Sequence, residues 1–318
     1  MKKIALTVPD FGQNYDDLIR ELDNKGYKLV WMPGIEHTAE GIISALRGYD
    51  AVIAGGEPWS AEAIEGVRDT LKIIARHGVG YDKVDIPAAT GAGIAVTNTP
   101  GKMSVAVAEQ ALSFMLSLTR QTARFDRDMR KGEWQLSITN ELTGKTLGLV
   151  GFGAIAKALV KLCAGFDLRI LVYDIHIDEN AVKELKVTPV ELDELLKESD
   201  FVSLHLPLNE ETQGMVDKEF LGKMKRTAFL INNSRGGLIT EPVLIDALKN
   251  GEIAGVGLDV YETQPLPHDS ELFGMDNVVL APFVGSATRE SMARMIACSV
   301  ENVTQFFDGK TPPNILNP

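Results

Sequence analysis

The chain has 318 residues, of which 45% are hydrophobic and 24% are charged, and its formal net charge is −12. This length suggests two domains, since one hydrophobic core seldom grows beyond about 250 residues. The negative charge argues against binding nucleic acid or an anionic membrane by net attraction, although it leaves room for a local basic pocket that holds a small anion. We therefore expect neither a nucleic-acid nor a membrane partner.

Cysteine usage and the first residues narrow the class of protein further. Cys163 and Cys298 are far apart and lack CxxC or Cys/His spacing, so we expect no disulfide scaffold, no metal site and a cytoplasmic location. The apolar run at the start is broken by Pro9 and Asp10, which makes it too short for a signal peptide and typical of a first strand. The sequence has no run of about 18 apolar residues that would span a membrane.

Short β-branched strands alternate with helical patterns through most of the chain, which predicts parallel α/β architecture. The strands of a first unit read "KKIALTV", "YKLVWM", "DAVIAG", "LKIIAR" and "IAVTNT", with helices such as 13–25 and 60–67 between them. A second series reads "TLGLVG", "RILVYD", "FVSLHL", "AFLINN", "AGVGLDV" and "VVLAP". A last helix is expected at about residues 286–307.

A long helical pattern separates the two strand series. Residues 104–131 are apolar along one broad face, which predicts a single helix of unusual length for a small domain. We expect this helix to serve as a spine between domains or as a dimer surface.

A glycine-rich turn follows the first strand of the second series. Gly151, Gly153 and Ala156 form a G-x-G-x-x-A pattern between a strand and a helix, which is typical of a dinucleotide-binding loop. Alone, the pattern also fits a simple tight turn. The next strand ends at Asp174, whose carboxylate would bind the adenosine ribose hydroxyls and repel a 2′-phosphate. The pair favours NAD over NADP as cofactor.

Several further blocks resemble the D-isomer-specific 2-hydroxyacid dehydrogenase family, which includes phosphoglycerate dehydrogenase and glyoxylate reductase. They are, in family order, "ARHGVGYDKVD", "VTNTPG", "VAVAEQAL", "LHLPLNEET", "LINNSRGGLITEPVLIDALKNGEIAGVGLDVYETQPLP" and "APFVGSATRE". The resemblance covers essentially the whole chain. It implies an NAD-dependent oxidoreductase that transfers hydride between NADH and a small 2-oxo or 2-hydroxy acid.

The resemblance also implies the architecture. We expect two Rossmann-like doubly wound domains with a cleft between them, and a hinge at residues 99–101. The substrate-binding, flavodoxin-like domain would comprise residues 1–99 and 290–318, and the dinucleotide-binding domain residues 100–289. The family is usually dimeric, so we expect a homodimer through the 104–131 helix and the nucleotide domain.

Site residues carry over from the family position by position. Arg235 matches the arginine that binds the substrate carboxylate and polarises its carbonyl, a task that suits the two parallel donors of a guanidinium. Val79 and Gly80 match a loop whose N–H groups hold the same carboxylate, and His77 adjoins that loop. The expected cofactor-binding residues are Gly151, Gly153, Ala154, Ile155, Asp174, His205, Pro207, Thr212, Asn233, Ser234, Asp259 and Gly285.

Two positions depart from the family pattern. Phe283 stands where the family keeps its histidine, and Gln264 stands where it keeps the glutamate that orients that histidine. The two changes are mutually consistent, because a carboxylate without its imidazole would be an unpaired charge beside an apolar ring. Phe283 cannot donate a proton, and loss of a positioned general acid costs about 10²–10⁴ in rate.

Three explanations for the missing proton donor stay open. Another side chain supplies the proton, with Lys102 as the leading candidate and His77, Tyr81 and Glu262 behind it. Alternatively, the substrate needs no such acid, as an imine would not. Finally, the protein is an NAD-binding sensor or scaffold with little turnover. We take Arg235, Lys102, Gln264 and Phe283 as the candidate catalytic positions.

Overall fold

The computed structural model describes residues 1–12 and 14–317, so that Gln13 of the predicted helix 13–25 and the final residue, 318, lie outside the described residues. The described chain divides into two compact units. Unit 1 comprises residues 1–103 and 289–318, and unit 2 comprises residues 104–288. Among the described residues, no helix is both long enough and apolar enough to cross a membrane.

Unit 1 is built on a parallel five-stranded sheet. Its strands are β1 (Lys2–Leu6), β2 (Tyr27–Trp31), β3 (Ala51–Ala54), β4 (Ile73–Arg76) and β5 (Ala95–Thr97), in the order β2-β1-β3-β4-β5. This order is that of flavodoxin-like folds. Its helices are α1 (Asp16–Asn24), α2 (Ala39–Leu46), α3 (Ala61–Val67), α4 (Ile86–Gly91) and α12 (Arg289–Phe307). Met292, Met295 and Val303 of α12 are buried in a core with strand residues of this sheet, which gives that last helix its place to pack.

Unit 2 is built on a parallel seven-stranded sheet. Its strands are β6 (Thr146–Val150), β7 (Arg169–Tyr173), β8 (Thr188–Pro189), β9 (Phe201–Leu204), β10 (Phe229–Asn232), β11 (Gly255–Leu258) and β12 (Val278–Leu280). Their order is β12-β11-β10-β9-β6-β7-β8, so the winding direction reverses between β6 and β9. Its helices are α5 (Ser104–Arg120), α6 (Thr122–Arg130), α7 (Ala154–Leu162), α8 (Glu179–Leu185), α9 (Leu192–Glu198), α10 (Lys218–Lys223) and α11 (Glu241–Lys249).

These two parallel sheets with interleaved helices confirm the predicted α/β class with two Rossmann-like folds. Strands such as β3 and β9 are buried along their whole length, as expected of parallel strands covered on both faces. Many of the helices begin at a residue whose side-chain oxygen accepts a backbone N–H of the first turn, which satisfies a donor that the helix leaves unpaired. These residues are Thr38, Ser60, Asp85, Asp178 and Asp217.

The prediction of one helix over residues 104–131 is wrong. The segment forms two helices, α5 and α6, separated by Gln121, whose backbone is left-handed with φ of 52°. Helix α5 packs closely on the unit 2 sheet. A Cβ added to Gly257 of β11 would lie only 2.7 Å from the Cβ of Phe114 in α5. Helix α6 has no buried residue, and it therefore lacks the packing that would hold it in line with α5.

Other predicted boundaries also shift. Helix α1 begins at Asp16 rather than residue 13, and α12 begins at Arg289 rather than near residue 286, because residues 284–288 form hydrogen-bonded turns. The two-residue strand β8 was not predicted, since it is too short to carry a pattern. Most predicted strands lose one to three residues at their ends.

Residues near the end of the chain cover the edge of the unit 1 sheet. Asn317 accepts a hydrogen bond from the N–H of Val96 at 2.7 Å and donates to the carbonyl of Ile94 at 2.9 Å. Leu316 donates its N–H to the carbonyl of Val96 at 2.8 Å. The edge strand β5 is therefore paired with chain that lies more than two hundred residues away in sequence.

Candidate functional site

The carboxyl ends of the unit 2 strands bring most of the predicted site residues to one edge of the sheet. Along the sheet from β12 to β7, the loops carry Phe283, Asp259, Arg235, His205, Gly151 and Asp174 in that spatial order. Neighbouring strands lie about 4.8 Å apart, so β7 and β11 are separated by roughly 19 Å. Ligands of doubly wound sheets bind at such an edge, where the winding reverses.

The glycine loop has the geometry of a phosphate-binding turn. Gly151 has φ of +96°, and an added Cβ would lie 2.5 Å from the carbonyl oxygen of His205, so only glycine fits there. The Cβ position of Gly153 faces open space with nothing within 4 Å. The N–H groups of Gly153, Ala154 and Ile155 donate to no other described residue. They are unpaired because they stand at the start of α7, where no preceding turn of helix offers a carbonyl. The loop therefore offers free donors and room to an anion.

Asp174 lies at the end of β7 and bonds to the glycine loop. One carboxylate oxygen accepts the N–H of Phe152 at 2.7 Å, and the other accepts the N–H of His176 at 2.8 Å. Each carboxylate oxygen has a further lone pair for a ribose hydroxyl. Asp174 therefore holds the shape of the glycine loop and also presents acceptor oxygens beside it, where the ribose of NAD would bind.

His205 is a buried, neutral side chain behind the glycine loop. Its Nε2 lies 3.0 Å from the Oγ of Ser203, while its Nδ1 is buried and has no partner among the described atoms. Burial lowers the pKa of His205 to about 4. The residue carries no charge at neutral pH, and its contact with Gly151 agrees with a role in shaping the pocket.

Asn232 organises the loop that follows β10. Its Oδ1 accepts the N–H of Ser234 at 3.0 Å, and its Nδ2 donates to the carbonyl of Arg235 at 2.9 Å. Ser234 donates its Oγ to the carbonyl of Leu204 at 2.7 Å, which joins this loop to the end of β9. Sequence reasoning missed Asn232, although an asparagine that ends a buried strand is a recognisable turn signal.

Three further predicted residues, Asn233, Arg235 and Thr212, lie in the loops after β10 and β9. Asn233 is buried, its Nδ2 is 3.5 Å from the carbonyl of Val107, and its Oδ1 has no partner among the described atoms. The guanidinium of Arg235 is half-buried and donates to the carbonyl of Ser234 at 2.8 Å. Thr212 donates to the carbonyl of Pro207 at 2.7 Å and so closes the loop after β9.

Asp259 holds the turn that contains Phe283. Its two carboxylate oxygens accept the N–H groups of Val284 at 2.8 Å and Gly285 at 2.7 Å. Burial raises the pKa of Asp259, while hydrogen bonds from the backbone of residues 283–285 lower it. A Cβ on Gly285 would lie 2.8 Å from the Oδ2 of Asp259, so a larger residue there would displace this carboxylate oxygen. Phe283 has a left-handed φ of 59°, and 53% of its surface is exposed.

Gln264, at the family's glutamate position, and Glu262, its candidate substitute, do not take part in the hydrogen bonds described above for the Phe283 turn. Gln264 is exposed and precedes Pro265 in a cis peptide bond. Glu262, the candidate substitute two residues earlier, accepts the N–H of Glu241 at 3.3 Å at the start of α11. The carboxylate of Glu262 therefore caps a helix in this structure.

In unit 1, the loop after β4 carries the remaining predicted residues. Neither the N–H of Val79 nor that of Gly80 donates to another described residue, while the carbonyl of Val79 accepts the Nδ2 of Asn98 at 2.9 Å. His77 is buried, and burial together with the charge of Arg76 lowers its pKa to about 4. The loop therefore has two free amide donors beside a neutral histidine.

Lys102 lies in a turn of unit 1 before α5. Its side chain is exposed, and its backbone carbonyl accepts the Nε of Arg294 at 2.9 Å. Tyr81 is also exposed. Within residues 1–12 and 14–317, no three His, Cys, Asp or Glu side chains are grouped so that they could hold a metal ion.

Comparison with known proteins gives a consistent result. The model of the D-isomer specific 2-hydroxyacid dehydrogenase NAD-binding domain matches residues 112–285. The glyoxylate reductase of Korarchaeum cryptofilum is 41% identical to this chain over 321 residues, covering 99% of the chain and 95% of the relative.

Solved structures resemble the chain over its whole length. The TT0316 protein of Thermus thermophilus has a TM-score of 0.89 at 33% identity, and the match covers 99% of this chain and 99% of that protein. An acyclic imino acid reductase, Bsp5, in complex with NADPH and D-Arg has a TM-score of 0.87 at 26% identity, again with 99% of both chains covered.

Proposed function

This chain belongs to the D-isomer specific 2-hydroxyacid dehydrogenase family, and from that membership we propose that it transfers hydride between NADH and a small 2-oxo acid. It is an NAD-dependent oxidoreductase of the 2-hydroxyacid dehydrogenase type. The names of its relatives make glyoxylate the first candidate substrate. The observation that supports the proposal most is the order of site residues along the carboxyl edge of the unit 2 sheet.

The residues of that edge fit a dinucleotide. We propose that Gly153, Ala154 and Ile155 bind the pyrophosphate through their N–H groups and that Asp174 binds the adenosine ribose. Ser234, Asn233, Asp259 and Gly285 would then line the nicotinamide end, three to five strands away. When bound, NADH supplies the hydride. Asp174 supports a preference for NADH over NADPH in this chain. The solved imino acid reductase, in contrast, is in complex with NADPH.

Arg235 is the proposed anchor of the substrate carboxylate. Its guanidinium follows β10 and is positioned by Asn232, which bonds to the backbone on both sides of Ser234. Two parallel donors suit a planar carboxylate. In unit 1, the N–H groups of Val79 and Gly80 donate to no other described residue, and we propose that this loop binds an anionic group.

The proton donor for a 2-oxo acid remains a proposal. Phe283 carries no proton, and His77 is neutral near pH 7 because its pKa is about 4. Glu262 is engaged at the start of α11. Lys102 is exposed, and we keep it as the candidate donor for carbonyl reduction. Lys102→Met should then abolish reduction of 2-oxo acids while NADH still binds.

We also propose a homodimer, and one segment of unit 2 supports it. Residues 132–140 follow α6 and carry Trp134, Leu136 and Ile138, which are 78%, 91% and 97% exposed. Their alternate spacing places all three on one side if the segment is extended. Exposed apolar groups of this size mark protein contacts, and a second copy of the chain is the partner that the family implies.

We propose a cytoplasmic location. Cys163 and Cys298 are both buried and unpaired, which fits a compartment that keeps thiols reduced.

The test is NADH oxidation at 340 nm with a panel of small 2-oxo acids. We expect turnover with at least one of them. Arg235→Lys should raise KM by about 10- to 100-fold, since it removes a charged, forked hydrogen-bond pair. The alternative function, an NAD-binding sensor or scaffold, is not favoured by the family comparison. It would gain support only if NADH binds tightly and no acid or related compound is reduced.

A further inference from the structure

The turn at residues 281–285 is fixed by two side chains from one loop. The hydroxyl of Tyr261 donates to the carbonyl of Ala281 at 2.8 Å and lies 3.2 Å from that of Leu258. Asp259 accepts the N–H groups of Val284 and Gly285. Phe283 lies between these two attachment points with a left-handed backbone, so its exposed ring is held in place at the end of β12.

Both ionisable side chains that fix this turn are engaged in hydrogen bonds with backbone groups. Burial and the charge of Asp259 raise the pKa of Tyr261 to about 12, and its hydroxyl hydrogen is used by a backbone carbonyl. Asp259 is an acceptor to backbone N–H groups through both oxygens. The ring that projects from the turn is a hydrocarbon. The turn therefore presents a hydrocarbon ring at position 283, and that ring has no proton to give.

Reduction of a carbonyl and of an iminium group differ in their need for that proton. When a C=O carbon accepts hydride, the oxygen becomes an alkoxide unless an acid protonates it during the step. A C=NH₂⁺ group already carries its proton, and hydride addition gives a neutral amine. A site without an acid at position 283 therefore handicaps carbonyl substrates and leaves iminium substrates unaffected, and a donor such as Lys102 would be needed for the carbonyl alone.

The charge of the substrate points the same way. An iminium group is a cation, and the face of a phenyl ring attracts cations. A protonatable side chain at position 283 would instead repel the iminium when charged. The chain as a whole carries a net charge of −12, which also favours a cationic group over an additional anionic one.

We propose that the preferred substrates are the iminium forms of small 2-oxo acids, which the protein reduces to 2-amino or N-alkylamino acids. This inference rests on the proposed function, because it uses the same hydride donor and the same Arg235 anchor. In the step, the iminium carbon gains the hydride that NADH supplies, and a C–H bond forms. The C=N π electrons become the nitrogen lone pair, NADH is oxidised to NAD⁺, and the amine then takes a proton from water.

The experiment compares NADH oxidation by the full chain with glyoxylate or pyruvate in the presence of methylammonium or trimethylammonium chloride. Both salts contribute the same ionic strength, but only methylamine forms an imine. We expect a rate at least about 100-fold higher with methylamine, matching the loss that a missing acid imposes on the carbonyl. The product should be sarcosine or N-methylalanine by mass spectrometry. Equal rates with both salts, with glycolate or lactate as product, would overturn the proposal.

A variant tests the role of position 283. Phe283→His combined with Gln264→Glu should raise the rate on the free 2-oxo acid and reduce the methylamine-dependent gain. An unchanged ratio of the two rates would refute the assignment to Phe283. Binding gives a second readout by isothermal titration calorimetry: with NADH present, glycine should bind more tightly than glycolate, and the double variant should reverse that order.

The outcomes distinguish failure of the iminium proposal from failure of the proposed function. Turnover of free 2-oxo acids without any amine effect keeps the proposed function and contradicts the iminium substrate. Absence of turnover with either substrate, with NADH binding intact, contradicts both and favours the sensor alternative.

Discussion

Gly151 and the carbonyl of His205 are in such close contact that a methyl group on Gly151 would lie 2.5 Å from that oxygen. The Cβ position of Gly153, two residues on, has nothing within 4 Å, and its φ is −78°. The same loop therefore contains one glycine that the fold requires and one whose Cβ position faces open space, where we propose that the ligand binds.

We expect Gly151→Ala and Gly153→Ala to fail in different ways. Gly151→Ala forces a Cβ into backbone at a positive φ and should lower the melting temperature by several degrees. Gly153→Ala should keep the wild-type melting temperature but weaken NADH binding at least about tenfold, because its methyl group occupies the approach of the pyrophosphate. Differential scanning fluorimetry and NADH fluorescence titration measure the two effects. Wild-type NADH affinity in Gly153→Ala would contradict the assignment of this loop.

His205 predicts a pH dependence of stability. Its pKa falls from 6.5 to about 4 on folding, so the unfolded chain binds a proton between these pH values and the folded chain does not. The free energy of unfolding should therefore decrease as pH falls through this window, by about 1.4 kcal/mol per pH unit from this one group. Urea titrations followed by circular dichroism at pH 7, 6, 5 and 4.5 give the slope.

The control for this slope is a pair of variants. His205→Gln should flatten it, since Gln can keep a hydrogen bond to Ser203 and does not titrate. His268→Gln removes an exposed histidine and should leave the slope as it is. If both variants behave alike, the slope arises elsewhere, and His77 with its similarly lowered pKa would be the next residue to test.

Asp174 predicts cofactor selectivity. Asp174→Ser removes the charge that opposes a 2′-phosphate, so the ratio of the NADPH to the NADH dissociation constants should shrink by about tenfold or more. The glycine loop loses the acceptor of the Phe152 N–H in the same change, so NADH should also bind more weakly. Asp174→Asn keeps one acceptor oxygen and serves as the matched variant. A wild-type protein that prefers NADPH would contradict the ribose argument.

The exposed apolar residues of segment 132–140 predict the oligomeric state. Replacing Trp134, Leu136 and Ile138 together by Ser should convert a dimer to a monomer, as measured by light scattering after size-exclusion chromatography. Ser replacement of exposed Phe11 and Tyr81 in unit 1 provides the control, and it should leave the mass unchanged. A wild-type chain that is already monomeric at micromolar concentration would refute the proposed homodimer.

The sequence was sufficient for the features that repeat or that carry a fixed spacing. Alternating strand and helix patterns predicted both parallel sheets, and the spacing of Gly151 and Gly153 predicted a tight turn between a strand and a helix. These predictions succeed because each depends mainly on residues that are close together in the chain.

The features that the sequence did not provide depend on long-range contacts. The break at Gln121 leaves the amphipathic pattern of residues 104–131 intact, and it follows from α6 having nothing to bury. The attachment of the Phe283 turn to Asp259 joins residues 25 positions apart. Likewise, nothing local indicates that Glu262 caps α11 at the N–H of Glu241.

The pairing of β5 with residues near position 317 has a consequence for the order in which the protein forms during synthesis. Unit 2 is one continuous stretch of chain, so it can fold as soon as residue 288 has left the ribosome. The unit 1 sheet is made first but must wait for α12 and for Asn317, and until then β5 presents bare N–H and C=O groups. An open strand edge of this kind invites pairing with other nascent chains. We therefore expect chaperone dependence to be concentrated in unit 1.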